Sequence, residues 1–166
     1  MINYAKVNFY NLVVAMAEIL VIDDHNGDRY IIVEALIGLG HRVLQAKNGA
    51  EGLALYQKNL PALVVTDIVM PEKDGIETIR ELRRIAPHLP ILAVSGTEHS
   101  DFYLSAVTLF GADGVLAKPF SFDGLIRAVA NLLSHSQEEE GGSVAGAASP
   151  RRIRARVRFT GSTTKK

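Results

Sequence analysis

Val64-Val65-Thr66-Asp67-Ile68-Val69-Met70-Pro71-Glu72-Lys73-Asp74-Gly75 is the stretch whose reading decides the fold. An apolar run delivers an acid, Asp67, to its end. A loop with Pro71 follows, and Asp74-Gly75 then opens a helical pattern. An acid at the carboxyl end of a buried parallel strand sits where open α/β sheets bind ligands. Four other candidates, Asp23, Asp24, Ser95 and Lys118, each end another short apolar run, so all five read as one site.

Working outward, Ile19-Leu20-Val21-Ile22 is a strand buried on both faces, ending in Asp23-Asp24. Residues 27–39 turn helical, with Ile32, Val33, Leu36 and Leu39 on one stripe and Gly40 as the stop. Residues 41–46 alternate like an edge strand. Asn48-Gly49-Ala50-Glu51 has the form of a capping box for a helix that ends near Pro61. After the strand over 63–66, Asp74-Gly75-Ile76-Glu77 opens a second capped helix. It turns Ile76, Ile79, Leu82 and Ile85 inward and Arg80, Glu81, Arg83 and Arg84 mostly outward. Ile91-Leu92-Ala93-Val94 is a strand ending at Ser95-Gly96. A fourth helix is predicted over 100–110 and stopped by Gly111. Gly114-Val115-Leu116-Ala117 is a strand ending at Lys118-Pro119. Phe122, Leu125, Ile126, Val129, Leu132 and Leu133 form the stripe of a fifth helix.

Five strands alternating with five helices predict a parallel α/β sheet, doubly wound and flavodoxin-like, in the order 2-1-3-4-5. Strands 1 and 3 are then central neighbours. Asp23, Asp24 and Asp67 converge at one sheet end, with Ser95 and Lys118 on the next two strands.

The 166 residues fit one domain with a real core, and 48% hydrophobic content fits a globular chain. The chain has no cysteine, which excludes disulfides and thiolate metal sites. Net charge is zero, but residues 151–166 carry seven of the 18 basic residues and no acid. Residues 1–150 therefore carry a balance of −7. No apolar run is long enough to span a membrane. Asn3, Lys6, Asn8 and Asn11 interrupt the first 17 residues, which do not read as a signal peptide. Residues 1–17 read as an N-terminal extension, either an ordered arm or a stretch upstream of a start at Met16. Residues 18–135 read as the domain. Residues 136–166 read as a disordered tail: an acidic run, a Gly/Ala/Ser linker and a basic end.

Three carboxylates brought together repel unless a cation joins them, and an all-oxygen donor set suits Mg²⁺. A carboxylate beside Mg²⁺ can attack phosphorus and form an aspartyl phosphate. Lys118 and the metal would neutralise charge on the transferring group, and Ser95 can donate a hydrogen bond to it. Taken singly, each residue has an ordinary reading: a cap, a turn acid, a turn hydroxyl, a surface lysine. Asp74 and Gly75 read as structural. Other motifs fail. Gly38-Leu39-Gly40 ends a helix rather than opening one, Ser95 lacks the glycines of a nucleophile elbow, and the five histidines show no metal-ligand spacing.

With these residues in view, 18–135 resembles the receiver domain of two-component response regulators, the CheY-like family. The motifs that carry the resemblance are Ile19-Leu20-Val21-Ile22-Asp23-Asp24, Asp67 to Gly75, Val94-Ser95-Gly96 and Lys118-Pro119-Phe120, each at a strand end. The resemblance implies a receiver that accepts a phosphoryl group on Asp67 from a histidine kinase or phosphotransfer protein. It implies Mg²⁺ held directly by Asp24, Asp67 and the backbone carbonyl of Val69, with Asp23 acting through a coordinated water. Ser95 would be the switch hydroxyl, Lys118 its salt-bridge partner, and Lys118-Pro119 a cis bond.

Signalling would be a population shift read by a protein partner on the face of the fourth helix, fifth strand and fifth helix. The resemblance further implies a cytoplasmic monomer or weak dimer, with no enzymatic activity beyond its own phosphorylation and dephosphorylation. Val115 stands where the family usually has Tyr or Phe, and Phe102 and Tyr103 are the substitutes considered. Val69 and Thr97, at positions that tune dephosphorylation, point to a long-lived phosphoryl state. The basic end could instead bind nucleic acid, an anionic membrane or an acidic protein face, the first making a receiver-regulated nucleic-acid-binding protein, or it is a solvated extension. A small-substrate phosphotransferase is the third class, disfavoured because no further catalytic motif or substrate cap is present.

Overall fold

The computed structural model describes residues 16–71, 74–96 and 108–140, with side chains described as far as 135. Five parallel strands form the sheet: β1 (Glu18–Ile22), β2 (Arg42–Ala46), β3 (Leu63–Asp67), β4 (Ile91–Gly96) and β5 (Gly114–Lys118). Their order is β2-β1-β3-β4-β5, as the alternation predicts. The described residues form four helices rather than five: α1 (Asn26–Gly38), α2 (Gly49–Asn59), α3 (Gly75–Ile85) and α4 (Phe122–Glu140). The helix expected over 100–110 falls mostly outside the described residues; Thr108, Leu109 and Phe110 of it are described, the first two helical and Phe110 in a turn.

The central strands are apolar along their whole length because helices cover both sheet faces. Ile19, Val21, Leu63, Val65, Leu92 and Val94 face α1 and α4, packing with Ile32, Leu36, Leu125 and Val129. Leu20, Ile22, Val64, Ile91 and Ala93 face the other way, packing with Leu53, Ile79 and Leu82. Burying each Val, Leu or Ile side chain among them contributes about 1.5–3 kcal/mol.

The helix starts follow the polar residues before them. Asn48 Oδ1 accepts from Glu51 N at 2.8 Å. Glu51 reaches back to the N–H of Lys47, one residue upstream of the cap, at 2.9 Å. Asp74 Oδ1 accepts from Glu77 N at 2.7 Å. Gly40 ends α1 in the left-handed region with φ 89°, where a side chain would be strained. On α3, Ile79 and Leu82 are buried, but Ile85 lies 37% exposed. Thr78 is the buried residue the apolar pattern missed, its hydroxyl donating to Asp74 O at 2.9 Å.

Arg83 is a correction of another kind. The helical stripe puts it outward, yet its guanidinium folds back onto the sheet. Nε donates to Gly111 O at 2.6 Å, and the two terminal nitrogens reach Leu89 O and the Asp113 carboxylate. Asp113 in turn accepts from Ile91 N at 3.0 Å. α3 is thereby tied to the start of β4 and the approach to β5. α4 continues past residue 135 to Glu140.

Gly75 belongs to the fold for a steric reason. A Cβ there would lie 2.1 Å from the backbone oxygen of Asp67, whereas at Gly52 it would meet the Ile22 Cδ1 methyl at 2.4 Å. Backbone cannot yield as a methyl can. Gly75→Ala is therefore expected to cost about 3 kcal/mol or more and Gly52→Ala about 1 kcal/mol, bracketing the usual range of overpacking. Urea denaturation of both variants against wild type measures the difference.

Candidate functional site

Register puts the candidates on one level. Ile22 pairs with Thr66, so Asp23 and Asp67, each one residue later, end adjacent central strands together. Asp67 pairs with Val94, so Ser95 follows at the same edge, and Lys118 lies opposite Gly96. Asp23 and Asp67 are buried while Asp24 is exposed. One carboxylate oxygen from each of the three lies within 4.8 Å of the others. This all-oxygen, mixed-exposure set fits a hard divalent cation that keeps part of its water, as the sequence leads one to expect.

Lys118 crosses this group. Its Nζ lies 3.0 Å from Asp23 Oδ2, 3.2 Å from Asp67 Oδ1 and 2.8 Å from Asp28 Oδ2. Asp28 is the residue sequence reasoning missed. It stands in the first turn of α1, where an acid is ordinary, and only the tertiary fold brings Lys118 to it, from a strand separated from β1 by β3 and β4. The same turn is pinned to the end of β1. His25 caps α1 through Nδ1, which accepts from Asp28 N at 3.2 Å, and its own N–H donates to Asp23 Oδ1 at 2.8 Å. Arg29 donates to the Asp23 carbonyl at 2.6 Å.

The charges perturb one another. Burial pushes the Asp67 carboxyl above its ordinary value, and the charge of Asp23 adds to the rise against the opposing pull of Lys118. Burial alone would lower Lys118. Hydrogen bonds to Asp28 and Asp23 and the charges of Asp67 and Asp23 outweigh it and hold the ammonium well above its usual range. The hydrogen bond from Lys118 holds Asp28 below the ordinary carboxylate range despite its partial burial.

The remaining candidates are placed less tightly. Ser95 is fully buried at the edge of β4, and its hydroxyl donates to Gly96 O at 3.4 Å rather than to the acids. Val69 follows β3 with its side chain 52% exposed. The Lys118-Pro119 bond is cis. Val115 is partly buried against the cluster of Leu20, Ile22, Ile91 and Ala93. Thr97, Phe102 and Tyr103 lie outside the described residues, as does most of the expected partner face over 100–110. Residues 1–15 and the basic end 151–166 lie outside them too.

Residues 19–130 match the family described as the response regulator receiver domain. The chain belongs to that family. Its curated relatives include Response regulator MprA of Mycobacterium sp. (strain KMS), 35% identical over 74% of this chain and 53% of its own length. They also include the DNA-binding transcriptional regulator NtrC of Escherichia coli (strain K12), 34% identical over 72% of this chain but 25% of its own. This receiver chain thus spans about half the length of the first relative and a quarter of the second. Among solved structures, a receiver domain protein from Clostridium thermocellum is similar with a TM-score of 0.69 and 31% identity, covering 75% of this chain and 99% of that one. Vibrio cholerae chemotaxis protein CheY4 is similar with a TM-score of 0.67 and 31% identity, over 71% and 99%. Receiver domains of two-component systems bind Mg²⁺ at an acidic cluster, and Asp23, Asp24 and Asp67 form such a cluster here. No helix among the described residues is long and apolar enough to cross a membrane.

The raised Asp67 carboxyl has a consequence for stability. The folded receiver keeps that proton to higher pH than the unfolded chain does. The contribution is therefore present below the unfolded value of about 3.9 and lost as pH rises through the folded one. In metal-free buffer at pH 7, Asp67→Asn is expected to melt above wild type, and the gap is expected to close on acidification below about pH 4. Thermal melts of both proteins across this range supply the check.

Proposed function

We propose that Asp67 is the phosphoacceptor of this receiver and takes its phosphoryl group from a phosphohistidine on a histidine kinase or phosphotransfer protein. The observation that carries the reading is Lys118 in contact with Asp67 and Asp23 at the end of the central strands. An ionised carboxylate oxygen of Asp67 attacks phosphorus, the P–N bond breaks, and the imidazole leaves with the electron pair. Its raised basicity makes Asp67 a better nucleophile once ionised. Lys118 offers positive charge to the transferring group, and Ser95 stands one position past the residue paired with Asp67. Asp24, Asp67 and the Val69 carbonyl would hold Mg²⁺ directly, and Asp23 through water. The ion would offset carboxylate repulsion and phosphoryl charge.

The transfer is self-modification, so the receiver turns over no separate substrate. We read the output as a change in protein contacts on the face that includes β5 and α4. Val115 lacks the ring that would couple that face to Ser95 in the usual way, which leaves the hydroxyl as the coupling element. A second reading has support from the relative named a DNA-binding transcriptional regulator and from the seven basic residues of 151–166. In that reading the receiver regulates nucleic-acid binding by the basic end. Loss of salt-dependent binding on removing 141–166 would favour it.

Intact mass after incubation with acetyl phosphate tests the proposal. Wild type is expected to gain one phosphoryl group with Mg²⁺ and none with chelator, and Asp67→Asn none under either condition. A gain of equal size in Asp67→Asn would sink the assignment.

A further inference from the structure

An ammonium has three donors and no acceptor. Lys118 faces three different carboxylates, Asp23, Asp28 and Asp67, at 3.0, 2.8 and 3.2 Å. The shortest contact is to Asp28, the one acid of the three that ends no strand. A phosphoryl group arriving on Asp67 brings new oxygens, and a donor of Lys118 can turn to them only by leaving a present partner.

Asp23 is poorly suited to be that partner. Its side chain is 1% exposed, and its other oxygen already accepts from His25 N at 2.8 Å. Losing the lysine would leave a buried charge without its cation, which is costly. The Asp28 side chain is 36% exposed, so water can replace the lysine there at small cost. Asp28 is also fixed in place: its N–H is held by the His25 cap, and Arg29 beside it ties the same turn to the end of β1.

We propose that Asp28 is a positioning residue for phosphoryl acceptance: it holds one donor of Lys118 while Asp67 is unmodified, and yields that donor to the phosphoryl oxygens on transfer. This rests on the reading of Asp67 as phosphoacceptor and adds a brake to it. Asp28 need not touch the phosphoryl group. It acts through Lys118, and the strength of its hold sets how readily the lysine becomes available.

The test is a double-mutant cycle on the full chain, with phosphoryl uptake from acetyl phosphate in saturating Mg²⁺ followed by intact mass. Asp28→Asn is expected to speed uptake about threefold or more, the lower range of coupling between groups in contact. Lys118→Gln slows it, and adding Asp28→Asn to Lys118→Gln is expected to change nothing further. Asp28→Glu, which keeps the charge, is expected to stay near the wild-type rate. Equal acceleration in both backgrounds would mean that Asp28 acts only through net charge, and would overturn the proposal. So would an unchanged rate in Asp28→Asn while wild type takes up phosphoryl normally. A wild type that takes up none at all removes the Asp67 reading and this one together.

Discussion

Repulsion between carboxylates is the constraint on which the site depends. Two like charges about 4 Å apart cost roughly 4 kcal/mol at the effective dielectric near a protein surface. One carboxylate oxygen from each of Asp23, Asp24 and Asp67 is brought within 4.8 Å of the others at the edge of a packed sheet. The fold tolerates them because Lys118 reaches two of them from β5 and because the cluster opens to water at Asp24. A site strained in this way has an affinity for whatever adds positive charge. It also responds when charge is added to Asp67, since the positions of all four groups are mutually determined.

The sheet makes such a concentration of charge feasible. Its central strands are apolar on both faces, so each can end abruptly in a polar residue without exposing the core. Gly75 lets α3 begin directly against the backbone of Asp67, with Gly75 N donating to Ile68 O at 2.9 Å. Arg83 fixes the opposite end of the sheet, where α3, β4 and the approach to β5 meet. The strand ends on the functional side are therefore set from both ends of the sheet.

Much of this could be read from the sequence because it follows from chain-local rules. Period, caps and breakers placed the strands and three helices to within a residue or two, and the parallel order followed from the alternation. Asp23, Asp67 and Lys118 were legible because a strand end is a position that pattern marks. Asp28 was not, because its partner is 90 residues away and its own position reads as an ordinary first-turn acid. Arg83 was misplaced for a related reason: a helical wheel assigns a direction to Cβ, and a long guanidinium can turn back from there. The buried Thr78 escaped because its hydroxyl is satisfied by the preceding turn, a pairing that an apolar stripe does not register.

The central claim is that the acyl group of one aspartate, Asp67, carries the phosphoryl group. Borohydride reduction tests it most directly, because an acyl phosphate is reduced to the alcohol and leaves homoserine at the modified position. The receiver, phosphorylated in Mg²⁺, reduced and digested, is predicted to contain homoserine at position 67 and nowhere else. Homoserine at position 23, 24 or 28, or a phosphoryl group that survives reduction on a hydroxyl or a histidine, would contradict the account.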